Sequence, residues 1–579
     1  MNCTNKAAAV NGKVTVTNGM NGGFKWLMLF LCTLLFVYLN IFASLTVQMP
    51  YRTWYSREMG ESSLTHPSGY HDNGLWSQIY RAVRSSIFGI EILYPLQTHT
   101  NLTWVKHTFE TLDKGIRQQN DIHVSRAFFE GRSRIPKIRL FTMDTVRQRN
   151  GTFFCLIWTK NRPNKPQVEQ ASLRFLFDGH VNTTINGKDY VIVNYDCPIN
   201  DKKIPDVTHV TLLPVDYKLA EKFDAAMKTF EKKYKEEVKR KAESGKKKRK
   251  LNGKSPQVNA RKEAKMKAVA LRNFQVDIMQ KELKHMDISS QRKTPVTYPV
   301  QSEKFEHEFG LCVSILHGTF TDDYKNLLIE WFEFHLLLGV TEFNIYNGTL
   351  RLEPDIHKIF EYYINSGVLL FHKQAPPIVI SDGSRRDAAL LTRMNTFQEC
   401  INNNMHRYRF LVVVDNDEII VPHKHNNYKD MMQDLREQRG IEYGKDDDRS
   451  FLFESMDFYG EFHQMANESQ LSVALRYQNY VSLHVRPKSI HNPRLCMRLN
   501  PHMCRERSKF GGGVERVNIT YAAVHHYRRT CPSSNNPVLF SKEACEKYKQ
   551  QQQRDTSVLR FKDDLLRRLM KVHKELGFL

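Results

Sequence analysis

The stretch Phe410 to Pro422, FLVVVDNDEIIVP, constrains the rest of the chain more than any other. Its leading apolar residues include three β-branched valines in a run too short for a helix, which predicts a buried strand. The run ends in acid. Side chains alternate along an extended backbone, so Asp415 and Asp417 are expected on one side at the carboxyl end of the strand, with Glu418 on the other face. Three carboxylates within four residues repel one another unless a cation or a hydrogen-bond network compensates them, and hard oxygen ligands suit Mg²⁺ or Mn²⁺. A solvated acidic turn is the competing reading.

The preceding sequence alternates between two periods. Strands are expected at Leu311–Leu316, Val340–Tyr346 and Val368–Phe371. Between them the spacing of apolar residues predicts helices from Thr321 or Asp322 to Leu338, stopped by Gly339, and from Pro354 to Asn365, stopped by Gly367. A third helix, Asp387–Asn404, leads into the strand Phe410–Val414. Four strands alternating with three helices predict a parallel α/β sheet, because parallel neighbours require crossovers of that length. Ligands in such sheets bind at the carboxyl edge of the strands, where the acidic residues stand.

The 579-residue chain exceeds what a single core usually fills, so several parts are expected. Trp26 to Val47 carries no charge over 22 positions, enough to span a hydrocarbon layer of ~30 Å as a helix. Lys6, Lys13 and Lys25 precede it with no acid, which predicts a cytosolic amino terminus and a luminal or external remainder. Eight of the ten cysteines lie beyond this span, an even number suited to disulfides whose pairing the sequence leaves open. No CxxC pair is present, so a structural zinc site is not expected. Six N-x-S/T triplets, at Asn101, Asn150, Asn182, Asn347, Asn467 and Asn518, also lie beyond the span.

The formal charge of +23 would suggest a nucleic-acid partner, but its distribution argues otherwise. Glu221 to Asp287 holds 21 Lys/Arg against 10 Asp/Glu, and it is poor in large apolar residues. A solvated, partly helical or disordered insertion is expected there. From Lys137 to Val215 short β-rich runs alternate with turn pairs such as Asn150-Gly151 and Asn186-Gly187, predicting an antiparallel sheet or sandwich. These readings divide the chain into a tail (1–25), a transmembrane anchor (26–47), a stem (48–136), a β-rich accessory domain (137–215) and a basic insertion or linker (216–300). A catalytic domain (301–530) and a helical C-terminal extension (531–579) follow.

Leu328 to Asn347 (LIEWFEFHLLLGVTEFNIYN), the acidic stretch and Val524 to Arg528 (VHHYR), in that order, resemble glycosyltransferase family 92 over roughly Gly310 to Arg528. The resemblance implies a GT-A type nucleotide-sugar-binding fold with a Rossmann-like, parallel-rich sheet. It also implies a type II Golgi membrane protein and a divalent cation such as Mn²⁺. The implied reaction is inverting transfer of a sugar, most often galactose from UDP-galactose, to a glycan acceptor on glycoprotein or glycolipid. Asp417 is then expected to bind the metal directly, Asp415 to lie near the ribose and reach the metal, and His526 to supply a third ligand. Arg528 is expected at a phosphate, and Glu418 in support.

The general base that takes the acceptor proton is expected on Ser450–Gly460, at Asp457, ahead of the aromatic pair Phe458-Tyr459. Two departures from the family pattern stand out. Glu454–Gly460 (ESMDFYG) lacks the usual Trp, and Asn416 separates the two aspartates where relatives carry an apolar residue. The rival to the enzyme is a non-catalytic, membrane-tethered glycan-binding or scaffold protein that kept the fold.

Overall fold

The computed structural model describes residues 100–579 except 103, 114–115, 134, 146–151, 176–182, 186–187, 200–205, 216, 246–255, 289–290, 300–303, 314–315, 322–323, 375–384, 441–449, 463–470, 483–485, 508–512 and 532–540. The expected tail and the span Trp26–Val47 lie outside the described residues. Among the described residues no helix is long and apolar enough to cross a membrane.

The expected strand-helix alternation is present. Strands β1 (His307–Val313), β2 (Glu342–Leu352), β3 (Leu369–Gln374) and β4 (Tyr408–Val414) pair in parallel in the order β3-β2-β1-β4. The order reverses between β1 and β4, and at such a reversal a crevice opens beyond the carboxyl ends of the strands. Helices α1 (Lys325–Leu337), α2 (Pro354–Asn365) and α3 (Arg385–Asn404) make the crossovers. Gly339 and Gly367 end α1 and α2 in the left-handed conformation that glycine adopts without strain (φ 102° and 76°).

Beyond β4 the sheet continues through β8 (Lys488–His491), β6 (Ser450–Phe453) and β9 (Val514–Val517). A small three-stranded sheet stands apart, with β10 (Ala522–Arg528) between β5 (Glu418–Pro422) and β7 (Ser455–Tyr459). Helix α1 is buried over eight consecutive residues, Leu328–His335, because elements pack on all its sides. One of them is α4 (Lys562–Glu575), whose Leu565, Leu569 and Val572 belong to the same core. The C-terminal segment is therefore part of this core and not the extension expected beyond residue 530.

The accessory domain is an antiparallel-rich sheet of ten strands, as its turn pairs suggest, but its limits differ from the expected ones. Val105–Asp113 and Ile116–Glu130, assigned to a stem, pair into this sheet, and so does Thr294–Thr297, assigned to the insertion or linker 216–300. The insertion contains two helices, Tyr217–Gly245 and Pro256–Glu282. Its base is not solvated: Leu219, Phe223, Met279 and Leu283 bury against Phe154, Leu156 and Trp158. Buried Arg139 pairs with Asp196 (2.8 Å) and donates to the Met497 carbonyl (2.9 Å), fastening this sheet to the α/β domain.

All eight cysteines beyond the span are paired, as Cys155–Cys197, Cys312–Cys400, Cys496–Cys504 and Cys531–Cys545. Cys312–Cys400 joins β1 to α3.

Candidate active site

Strand β4 ends at Val414, and residues 415–417 form a turn, closed by Glu418 N donating to the Asp415 carbonyl (3.2 Å), before β5 begins. The parity expected of a continuous strand therefore does not hold. The two aspartates part company, and Glu418, expected on the opposite face, turns inward.

Asp415 is held by cations of the chain itself. Its Oδ1 accepts from Arg393 (2.8 Å) and its Oδ2 from Lys488 (2.5 Å), while buried Lys488 also lies 2.6 Å from Glu418 Oε2. Burial opposes ionisation of the Asp415 carboxyl, but Lys488 and Arg393 overwhelm it and hold the group well below the usual carboxylate range. Burial would likewise depress Lys488, yet the Asp415 and Glu418 charges raise it, so the ammonium stays charged. Asp415 is thus engaged as the anion of a buried ion-pair network. The expected direct contact to a metal is taken up by Lys488 and Arg393.

Asp417, Glu418 and His526 converge instead, each offering a ligand atom within 4.8 Å of the others. Strand register explains this. Glu418 on β5 and Asp457 on β7 both stand opposite His526 on the central strand β10, so the three residues form one row across the small sheet. Asp417 joins the row because its carbonyl accepts from Tyr527 N (3.0 Å). Its Oδ2 lies 3.1 Å from His526 Nε2. On the other edge of the ring, Nδ1 lies 3.2 Å from Asp457 Oδ1 and 3.6 Å from Glu418 Oε1. Arg528 Nε lies 2.9 Å from His526 Nε2, which brings the guanidinium to the candidate metal position.

Burial would lower the His526 imidazole, but Asp417, Asp457 and Glu418 reverse this and raise it to about 10. Asp417 moves the opposite way: burial pushes its carboxyl up, and the charge and hydrogen bond of His526 bring it below its ordinary value. Without a metal, the imidazolium neutralises this acidic row.

The donor set suits a divalent cation in its place. Two ligands at 2.0–2.2 Å on adjacent octahedral positions are about 3 Å apart, which matches Asp417 Oδ2 and His526 Nε2. Asp457 faces Nδ1, where a carboxylate fixes the tautomer that leaves the Nε2 lone pair for metal. The expected base is therefore placed behind the ring with its side chain buried, not on an open acceptor side.

Four neighbours carry roles the sequence did not suggest. The Trp331 indole N–H is shared between the carbonyls of Glu418 (3.0 Å) and Asp415 (3.2 Å), pinning the acidic turn onto α1. Tyr324, which is close to both aspartates, accepts from Asn416 Nδ2 (3.0 Å) and so anchors the residue between them. Lys488 and Arg393 have no local signal, since they stand 73 and 22 residues away from Asp415 in the chain. For Trp331 the signal was the E-W-x-x-x-H pattern itself. Glu330 in that pattern accepts from Val473 N (2.7 Å), Ala474 N (3.1 Å) and Ser472 Oγ, and His335 Nδ1 contacts the Trp331 carbonyl (2.8 Å), so both are structural.

Residues 307–569 match the family model described as Glycosyltransferase family 92. No curated protein matches the chain. Among solved structures, the apo structure of the bifunctional glycosyltransferase WbbM shares 10% identity over 41% of this chain and 42% of its own, with a TM-score of 0.16. That is too low for any inference about fold or activity to pass between them. The acidic turn, the histidine row and the C-terminal helix all fall within the stretch 307–569, which is similar to glycosyltransferase family 92 over 263 of the 579 residues, and the match classes the protein as a glycosyltransferase.

Proposed function

We propose that the protein is a metal-dependent, inverting glycosyltransferase of GT-A type that transfers galactose from UDP-galactose to a glycan acceptor in the Golgi lumen. The observation that carries this reading is the meeting of Asp417 with His526 at hydrogen-bond distance, backed by Asp457, at the carboxyl edge of a parallel sheet. A divalent cation such as Mn²⁺ would be held by Asp417 Oδ2 and His526 Nε2, and when bound it supplies Lewis-acid stabilisation of the diphosphate leaving group. Arg528, beside Nε2, adds a fixed positive charge for the same phosphates. Lys488 and Arg393 hold Asp415 ionised and oriented at the ribose side of the crevice.

In this reading Asp457 orients His526, and the acceptor proton passes to another carboxylate, for which Glu454 on the same segment is the first candidate. Its side chain is 24% exposed, against 5% for Asp457. The luminal, type II placement draws support from the uncharged span Trp26–Val47 with lysines ahead of it and from the four disulfides.

The experiment is release of UDP from UDP-galactose by the purified region beyond residue 48, with Mn²⁺ and with EDTA. Release that requires the metal supports the proposal. Equal release in EDTA, or release only from a different nucleotide sugar, refutes the metal or the donor respectively.

A further inference from the structure

Alternate residues of β10 face opposite ways, so while His526 faces the candidate active site, its neighbour His525 looks out from the other face of the small sheet. There it meets His423, just past the end of β5, and Asp555, which arrives from the C-terminal segment before α4. His525 Nε2 lies 3.1 Å and His423 Nε2 3.6 Å from the same oxygen, Asp555 Oδ2. The three ligand atoms all fall within 4.8 Å of one another.

We propose that His423, His525 and Asp555 form a second divalent-metal site, of zinc type, distinct from the one at Asp417 and His526. Ligands at 2.0–2.1 Å in tetrahedral array stand about 3.3 Å apart, and the two nitrogen–oxygen separations bracket that value. Two imidazoles and one carboxylate form a donor set that zinc accepts readily.

The environment of the same two nitrogens points the same way. His525 is 1% exposed, and both Nε2 atoms are buried without a hydrogen bond of acceptable geometry. Among the described residues Asp555 is the one anion facing both rings, and a cation shared by the three groups would engage both nitrogens and the carboxylate at once. The remaining contacts orient this set. His525 Nδ1 pairs with the Tyr527 hydroxyl (3.0 Å), and Asp555 accepts from Ser557 N (2.7 Å) and Ser557 Oγ (3.1 Å). Such outer partners are what hold ligating groups in place. Arg560, the nearby cation, donates to the carbonyls of Pro422, His423 and His425.

Among the described residues three donors converge, so water completes the coordination. The low exposure of all three side chains, at most 13%, leaves little room for a substrate and suits a cross-link. That cross-link would tie the C-terminal segment to β5 and β10, the strands that carry Glu418 and His526. The four disulfides leave no thiolate among the described residues, so a zinc site here is built from imidazole and carboxylate.

The test is the zinc content of the folded luminal protein, purified without chelator, as wild type, Asp417→Asn, His423→Gln and Asp555→Asn. Wild type and Asp417→Asn are expected to hold about one zinc per chain through gel filtration, and the other two variants less than about a tenth of that. Zinc K-edge absorption of the wild type should show nitrogen and oxygen neighbours with imidazole scattering, a readout that stands even if a variant fails to fold. The proposal is overturned if wild type neither contains zinc nor takes it up from added ZnCl₂. It is equally overturned if His423→Gln keeps the wild-type zinc content, which would leave a metal-free cluster of two imidazoles and an aspartate.

Discussion

Asp457 Oδ1 lies 3.2 Å from His526 Nδ1, on the opposite edge of the imidazole from Asp417 Oδ2, which is 3.1 Å from Nε2. This carboxylate–imidazole–carboxylate row separates two roles that a sequence leaves mixed. A base must meet the acceptor hydroxyl, whereas a positioning residue acts through the ring. Asp457→Asn is expected to weaken Mn²⁺ about 10–100-fold and to recover most of kcat at saturating metal. A steep loss of kcat with unchanged Mn²⁺ affinity would return Asp457 to the role of base.

Asp417→Asn is expected to abolish metal-dependent UDP release. Its effect on stability is small, about 1 kcal/mol, because His526 keeps Asp457 and Glu418 as partners. Chemical denaturation and the turnover assay on one preparation check both halves. Normal turnover at ordinary Mn²⁺ removes Asp417 from the site.

Lys488→Met leaves buried Glu418, and part-exposed Asp415, without their shared cation. Breaking a buried pair in this way costs about 3–5 kcal/mol, so the variant should unfold at clearly lower denaturant than wild type. An unchanged midpoint would mean that water or Arg393 compensates and that the network is not structural.

Glu330 predicts a pH dependence. Burial raises its carboxyl from 4.5 to about 7 against the pull of Ser472, Val473 and Ala474. The native state therefore keeps a proton that the unfolded chain releases between these values, and stability falls as pH rises through that window, on the order of 3 kcal/mol. In Glu330→Gln that contribution is gone. The stability difference between wild type and variant should shift in the variant's favour from pH 4.5 to 7 and level off above. Parallel stability curves would contradict it.

The basic helical pair should tolerate loss of its tip but not of its base. Replacing residues 235–269 by a short flexible linker is expected to leave UDP release intact. Removing Glu221–Asp287 uncovers Phe154, Leu156 and Trp158 and should impair folding. Loss of transfer in a well-folded tip deletion would assign the tip a part in catalysis.

How much of this was legible beforehand follows from the range of each interaction. The parallel strands and their crossovers are local periodicities, so their order of type and their Gly339 and Gly367 stops could be read directly. His526 could be found because a family pattern marks it. What could not be read is long-range pairing. The turn at 415–417 replaced an assumed strand and reversed the expected placement of Glu418. The register that sets Glu418, His526 and Asp457 in one row joins segments about 70 and about 110 residues apart. Lys488 and Asp555 have no local periodicity to announce them, and the base of the insertion hides four buried apolar residues in a segment dominated by charge.

Manganese binding followed by electron paramagnetic resonance, with and without UDP, tests most directly whether Asp417 and His526 hold the catalytic cation. The UDP-dependent component should amount to about one Mn²⁺ per chain in the wild type, and should be lost or weakened at least about 10-fold in Asp417→Asn and in His526→Ala. UDP-dependent Mn²⁺ binding of wild-type strength in either folded variant would contradict the account.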